Sequence, residues 1–269
     1  MAGTVYSGLP RLELQMLLAH VLGRTRVWLI AHDEHVMTDS ELGQFQALCQ
    51  RRLIGEPMAY LVGQREFMGL GFEVSAAVLI PRPETELLVQ TVLATIADCD
   101  APRILDLGTG SGAIAVAIAH ARSDARVWAT DLSNDALDLA QRNASKHGAS
   151  VRFFLGPWFE ALREQDGQFD VIVSNPPYIA EGDAHLSQGD LRFEPRMALT
   201  DGSDGLSVYR LLANQARRFL LPGGLLCVEH GFDQGLAVAQ LLRDAGYFQV
   251  KTIQDLAGHP RVTIGSYNE

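Results

Sequence analysis

The sequence predicts an α/β protein built on a mostly parallel seven-stranded sheet, preceded by a small α-helical domain and a β-hairpin connector. Three observations predict it. From residue 103 onward, short apolar runs alternate with helical patterns, which implies a parallel sheet with helices on both faces. A glycine-rich turn, Gly108-Thr109-Gly110-Ser111-Gly112, joins the first of those runs to a helical pattern. Before residue 65, apolar residues recur at helical rather than strand spacing. The expected domains are 1–64 (helical), 65–83 (hairpin and linker) and 84–269 (sheet domain).

Each element follows from local chemistry. Leu14, Leu17, Leu18, Val21 and Leu22 share one helical face, and Gly23 can end that helix. A second helix starts at Thr38, whose spacing to Glu41 fits a capping box. Leu42, Phe45, Leu48, Cys49 and Leu53 continue its stripe, and Gly55 and Pro57 stop it. Phe67, Leu70, Phe72, Val74, Val78 and Ile80 alternate with glycines and small residues, as in a hairpin or extended connector. Pro81 to Glu86 punctuates the chain, and 85–98 reads as a helix. Strands are expected at 103–107, 126–130, 151–155, 169–174, 225–229, 249–254 and 261–265, and helices at 113–122, 134–147, 206–221 and 234–244. Only Ala257-Gly258-His259-Pro260 separates the core of the last two strands, with no room for a crossover helix. They should form an antiparallel hairpin at the sheet edge.

Composition narrows the function classes. A net charge of −10 counts against a phosphate-gripping nucleic-acid binder, so no direct nucleic-acid partner is expected. Cys49, Cys99 and Cys227 are odd in number and far apart, which argues against a disulfide framework or a zinc site. The eight histidines show no metal-ligand spacing, so no metal is expected. The chain shows no signal-peptide pattern and no apolar run long enough to span a bilayer, so a cytoplasmic location without membrane association is expected.

The glycine turn points to a bound nucleoside. Glycines let the backbone turn sharply and let a ligand approach closely. Asp131 ends the next strand, where a carboxylate can accept hydrogen bonds from ribose hydroxyls. The spacing is GxGxG rather than the GxGxxG of pyrophosphate binders, and Asp106 stands just before it. Trp158 follows the third strand and has two readings, packing on an adenine or filling the core. Asn143 reads as structural support rather than as a ligand contact.

The second half of the site is Asn175-Pro176-Pro177-Tyr178, at the carboxyl end of the fourth strand. Open α/β sheets bind ligands at that edge. The prolines remove backbone donors and stiffen the loop. The Asn175 side-chain oxygen and the Pro176 carbonyl can both accept from one NH₂ group, while Tyr178 offers a flat face. These features imply a conjugated NH₂ acceptor, either an amide or an exocyclic base amine. Two acceptors on its hydrogens would favour the positive charge that develops in transfer. Asn175, Pro176 and Tyr178 are therefore the candidate catalytic residues, with Pro177 beside them at the substrate.

Residues Gly55-Glu56-Pro57, Tyr60, Gly63, Glu66-Phe67, 79–86, 106–112, 174–179, Glu194-Pro195, Ala198-Leu199, 204–206 and 255–258 together resemble the peptide chain release factor glutamine methyltransferases (the PrmC/HemK family). The resemblance runs over nearly the whole chain. It implies a class I S-adenosylmethionine-dependent (Rossmann-like) methyltransferase domain, with S-adenosyl-L-homocysteine as product. The implied substrate is the side-chain amide (N5) of the glutamine in the Gly-Gly-Gln loop of bacterial release factors, which the helical domain helps to bind. It assigns cofactor contacts to Gly108, Thr109, Gly110, Ser111, Gly112, Asp131, Trp158 and Asn175, places Asp106 near the methionine ammonium, and gives 175–178 to the glutamine. Arg82 lies in a family motif that assigns it no contact here, and Glu84 and Glu86 are the simple pairing candidates beside it. Pro157 stands where relatives often carry an acidic residue, so no side-chain acceptor for the adenine amine stands there, and a backbone carbonyl could replace it. Two rivals are an N6-adenine nucleic-acid methyltransferase, which the acidic balance disfavours, and a sister enzyme acting on a ribosomal protein, which the Arg82–Glu86 segment disfavours. A third, a non-catalytic binding module, is disfavoured by the intact donor and acceptor motifs.

Overall fold

Four short helices form at the N-terminus, and the first, third and fourth bury apolar residues against one another. They are α1 (Arg11–Leu22), α2 (Arg26–Ala31), α3 (Asp39–Leu53) and α4 (Met58–Val62). The computed structural model describes residues 8–162 and 167–268, so the outermost residues of the expected first and last domains lie outside it. Gly23 ends α1 in the left-handed conformation at φ 60°, and the capping box of Thr38 and Glu41 opens α3. Leu17, Phe45, Cys49 and Leu61 form the buried centre. Each such side chain contributes only about 1.5–3 kcal/mol. A paired Arg52–Glu13 contact, with two 2.8 Å hydrogen bonds, also ties α3 to α1. The helices α2 and α4 were not expected, since six and five residues are too few to show a period.

The connector is a hairpin, β1 (Gln64–Phe67) against β2 (Leu70–Glu73). Its two turn residues, Met68 and Gly69, both have positive φ, which suits the twist of a two-residue hairpin turn. Phe67 and Phe72 bury against the main domain, and the Asn143 side chain bridges to Glu73 through both its backbone N–H and C=O.

The main sheet contains β3 (Arg103–Leu107), β4 (Arg126–Asp131), β5 (Val151–Leu155), β6 (Phe169–Ser174), β7 (Leu220–Glu229), β8 (Phe248–Gln254) and β9 (Pro260–Ser266). Their order is β5-β4-β3-β6-β7-β9-β8. The first five strands are parallel, while β9 runs antiparallel between β7 and β8. Helices α5 (Thr85–Thr95), α6 (Ala113–Ala121), α7 (Asn134–Lys146), α8 (Ser207–Gln215) and α9 (Gly235–Asp244) cover the sheet. Strand side chains alternate between two cores. Ile104, Val171 and Val173 face α5 and α6, whereas Leu105, Ile172 and Leu226 face α8 and α9.

The largest departure from expectation lies between α8 and β7. The expected helix at 206–221 stops at Gln215, turns through Ala216–Arg218, and becomes β7 at Leu220. Leu220 and Leu221 continue the helical stripe, but Leu220 pairs with Phe169 of β6, so the sheet claims them. Residues 184–198 form three short 3-10 turns that carry no clear periodicity. Among the described residues, no helix is long and apolar enough to cross a membrane.

Candidate active site

The chain leaves β3 for β4 on one side and returns to β6 on the other. That reversal opens a crevice at the carboxyl ends of β3 and β6. A cleft of about 260 Å³ lies there, lined by Gly108 to Ser111, Asp131, Trp158, Asn175 and Pro177 among others. Eight of the residues predicted from sequence thus share one cavity. Four do not line it: Asp106 is fully buried, Gly112 caps α6 from within, Pro176 is buried, and Tyr178 is half-buried beside the loop.

Backbone hydrogen bonds build the first wall. Gly108 and Thr109 donate N–H to the Thr130 carbonyl at 2.9 and 3.0 Å. Gly110 N–H donates to Asp131 Oδ2 at 2.8 Å, and Ser133 N–H donates to Oδ1 at 2.9 Å. Asp131 therefore ties the turn to β4 while keeping free lone pairs at the cleft. Gly112 is required for space as well as for its φ of 80°. A Cβ there would meet the Ala140 Cβ at 3.0 Å. Asn143 donates Nδ2–H to the Ser111 carbonyl at 2.9 Å, which confirms its structural role. Trp158 fits both of its readings, since it packs with the α8–α9 core and also lines the cleft beside Gly108.

Behind this wall lies Asp106, with no solvent exposure. Thr109 donates Oγ1–H to its Oδ2 at 2.6 Å, but Oδ1 is buried without a hydrogen-bond partner. Burial pushes the carboxyl up to about 7, against the pull of the Thr109 hydroxyl and the Ala115 backbone N–H. A buried carboxylate with an open oxygen is chemically suited to a cationic group such as an ammonium.

The opposite wall is held by side chains from distant segments. Ser174 Oγ–H donates to the Leu107 carbonyl at 2.7 Å, tying the end of β6 to β3. Asn175 Nδ2–H donates to Thr85 Oγ1 at 3.2 Å. Gln234 Nε2–H donates to the Tyr178 carbonyl at 2.9 Å. Burial pushes the Tyr178 phenol up to about 12, so it stays neutral.

Arg82, left without a contact by the sequence, finds one across the fold. It pairs at 2.6 Å with Glu194, not with Glu84 or Glu86. Glu86 instead accepts from the Met68 backbone N–H. The Glu194 side chain is fully buried and must find a cation, which Arg82 supplies. Their neighbours Pro81 and Pro195 both line the cleft, so the ion pair joins two of its walls. Thr85, Met197 and Gln234 were also not singled out. Thr85 stood in the 79–86 motif, but nothing in that run showed that it would meet a residue 90 positions away.

Residues 4–63 match the family model described as the PrmC N-terminal domain, and residues 83–191 match the methyltransferase small domain. The chain is 55% identical over 258 residues to the release factor glutamine methyltransferase of Bordetella pertussis, covering 96% of this chain and 95% of that protein. Its identity to the Neisseria gonorrhoeae protein of the same name is 52% over 261 residues, covering 97% and 95%. Two solved structures share the fold. One is a methyltransferase from Pyrococcus furiosus, with TM-score 0.55 and 21% identity, covering 82% of this chain and 98% of that one. The other is the Thermus thermophilus 16S rRNA N2 G1207 methyltransferase in complex with AdoMet and guanosine, with TM-score 0.58 and 21% identity, covering 76% and 50%.

Proposed function

The chain belongs to the release factor glutamine methyltransferase family, and from that premise we propose how its cleft divides the work. The enzyme transfers a methyl group from S-adenosylmethionine to the side-chain amide nitrogen of the glutamine in the Gly-Gly-Gln motif of bacterial release factors. The observation that carries the site assignment is the meeting of two walls across one cleft, Gly108 to Ser111 on one side and Asn175 with Pro177 on the other.

On the donor side, Gly108 to Gly112 cradle the nucleoside and Asp131 receives the ribose hydroxyls. Asp106, buried behind the glycine turn with Oδ1 unpartnered, balances the charge of the methionine ammonium. Trp158 packs beside the adenine, and Pro157 leaves only a backbone carbonyl for the adenine amine at that point. When bound, S-adenosylmethionine supplies an electrophilic methyl group. On the acceptor side, Asn175 Oδ1 and the Pro176 carbonyl accept from the two N–H bonds of the glutamine amide, and Tyr178 and Pro177 flank its plane. The amide nitrogen is a poor nucleophile because its lone pair is delocalised. Two acceptors on its hydrogens stabilise the positive charge that grows as it attacks, and the rest of the catalysis is alignment. The helical domain, 1–64, recognises the factor, with 65–83 as connector and 84–269 as catalytic domain. The reaction belongs in the cytoplasm, where release factors act.

The test is methyl-label transfer from the cofactor to a release factor, to its Gly-Gly-Gln variant with Gln→Ala, and to DNA. Label in the unmodified factor alone is expected. Label in DNA, or equal label in the loop variant, would overturn the assignment.

A further inference from the structure

An asparagine side chain has two ends of nearly identical shape, one accepting and one donating. If Asn175 presented Nδ2 to the substrate, two donors would face each other and the amide would be repelled. Something must therefore decide which end faces the cleft. Nothing in the local loop does so. Pro176 and Pro177 have no N–H to offer, and no described residue donates to Asn175 Oδ1.

The deciding contacts come from two other elements. Thr85, the first residue of α5, is 4% exposed and receives Asn175 Nδ2–H at 3.2 Å. A threonine hydroxyl alone does not settle the matter, since it can donate or accept. Behind it stands Glu229, the last residue of β7 and 1% exposed. Ser174 pairs with Val228, so Glu229 lies beside Asn175 in register. Thr85 and Asn175 both pull the Glu229 carboxyl down as hydrogen-bond donors, while its Oε2 is buried without a partner, so this carboxyl has acceptor capacity to spare for them. An ionised carboxyl only accepts. It takes the Thr85 proton, which leaves Thr85 Oγ1 able only to accept from Asn175. The donor ends of both side chains thus turn toward Glu229, and Asn175 Oδ1 turns toward the cleft.

We propose that Thr85 and Glu229 are positioning residues for methyl transfer, fixing the orientation of the Asn175 amide so that its oxygen faces the acceptor nitrogen. The assignment rests on the proposed role of Asn175 at the acceptor. It also accounts for a buried carboxyl that makes no ion pair among the described residues. Burial pushes that carboxyl up to about 7, against the pull of Thr85, Arg261 and Asn175, so it is ionised in mildly alkaline solution. When ionised, that carboxyl also polarises the Asn175 amide, strengthening Oδ1 as an acceptor while charge develops.

The test compares Thr85→Val, Thr85→Ser, Glu229→Gln and Asn175→Ala at pH 8, with a release factor as substrate and thermal unfolding as a check on folding. Valine keeps the shape of threonine without the hydroxyl. Glutamine keeps the shape of Glu229 but can donate as well as accept, so the choice reopens. Both variants should lose roughly 10–100-fold in kcat, as misplacement of a reacting group does, with KM for cofactor held within about threefold. Thr85→Ser should restore kcat to within about threefold of the unmodified enzyme. If Asn175→Ala loses turnover while Thr85→Val and Glu229→Gln keep it within about twofold, the positioning assignment fails alone. If Asn175→Ala itself turns over normally, the acceptor reading beneath it fails. A kcat loss in Thr85→Ser equal to that in Thr85→Val would likewise overturn the hydroxyl's role.

Discussion

The two walls of the cleft are built in different ways. The donor wall is local: its turn hydrogen-bonds to the next strand, and Gly110 meets Asp131 only 21 residues away. The acceptor wall is remote. Asn175 is held from 90 residues away, Tyr178 from 56, and the Arg82–Glu194 pair spans 112. Local backbone geometry shapes a pocket for a constant ligand. Contacts across the fold are needed to hold a loop that a protein substrate must enter. Changes in the donor wall should therefore appear in cofactor affinity, and changes in the acceptor wall in turnover or stability.

The largest expected effect is Asn175→Ala. Turnover should fall roughly 10²–10³-fold, the usual cost of removing one charge-stabilising hydrogen-bond partner. Cofactor affinity by calorimetry should change by about threefold or less. An equal loss in both would erase the distinction between the walls. Arg82→Ala follows, because it strands Glu194 in the interior. Denaturant unfolding should show a loss of roughly 2–3 kcal/mol, less than for a fully buried pair because Arg82 is partly exposed. Gly112→Ala tests the donor wall. The added methyl meets Ala140 in a left-handed backbone, so stability should fall by about 2 kcal/mol. Cofactor affinity should weaken with it, and an unchanged affinity would mean that the turn is less tightly defined than its contacts imply.

The last effect is a pH dependence, small near neutrality. In the cofactor-free protein the Asp106 carboxyl titrates near 7, above its ordinary 3.8. The ionised form that would receive an ammonium is present above about pH 7 and lost as pH falls through it. The cofactor dissociation constant should then rise about tenfold per pH unit below 7. Asp106→Asn should bind weakly with a flat profile. Linkage runs the other way for stability. A raised carboxyl favours the folded state most below its ordinary value, and that contribution disappears as pH rises toward 7. Asp106→Asn should therefore lessen the fall in cofactor-free melting temperature over that range.

The same contrast explains what the sequence could show. The donor wall was legible because strand, glycines and acidic partner lie within one βαβ unit, each with its own local chemistry. The capping box at Thr38 was legible for the same reason, whereas the connector read as either a hairpin or an extended segment until the Met68-Gly69 turn resolved it. Expectation failed where a distant partner decides. Arg82 had acidic neighbours in sequence, yet the burial of Glu194 drew it across the fold. Leu220 continued a helical stripe until Phe169 claimed it for the sheet. Thr85 stood in the 79–86 motif and Glu229 ended an expected strand, but neither showed its role, which arises only where α5, β6 and β7 converge on Asn175.

The most direct test is to methylate a release factor with this enzyme and locate the added group by fragmentation mass spectrometry. A single methyl on the side-chain nitrogen of the Gly-Gly-Gln glutamine, absent with Asn175→Ala, is the predicted result. A methyl on any other residue, or undiminished modification by Asn175→Ala, would contradict the account.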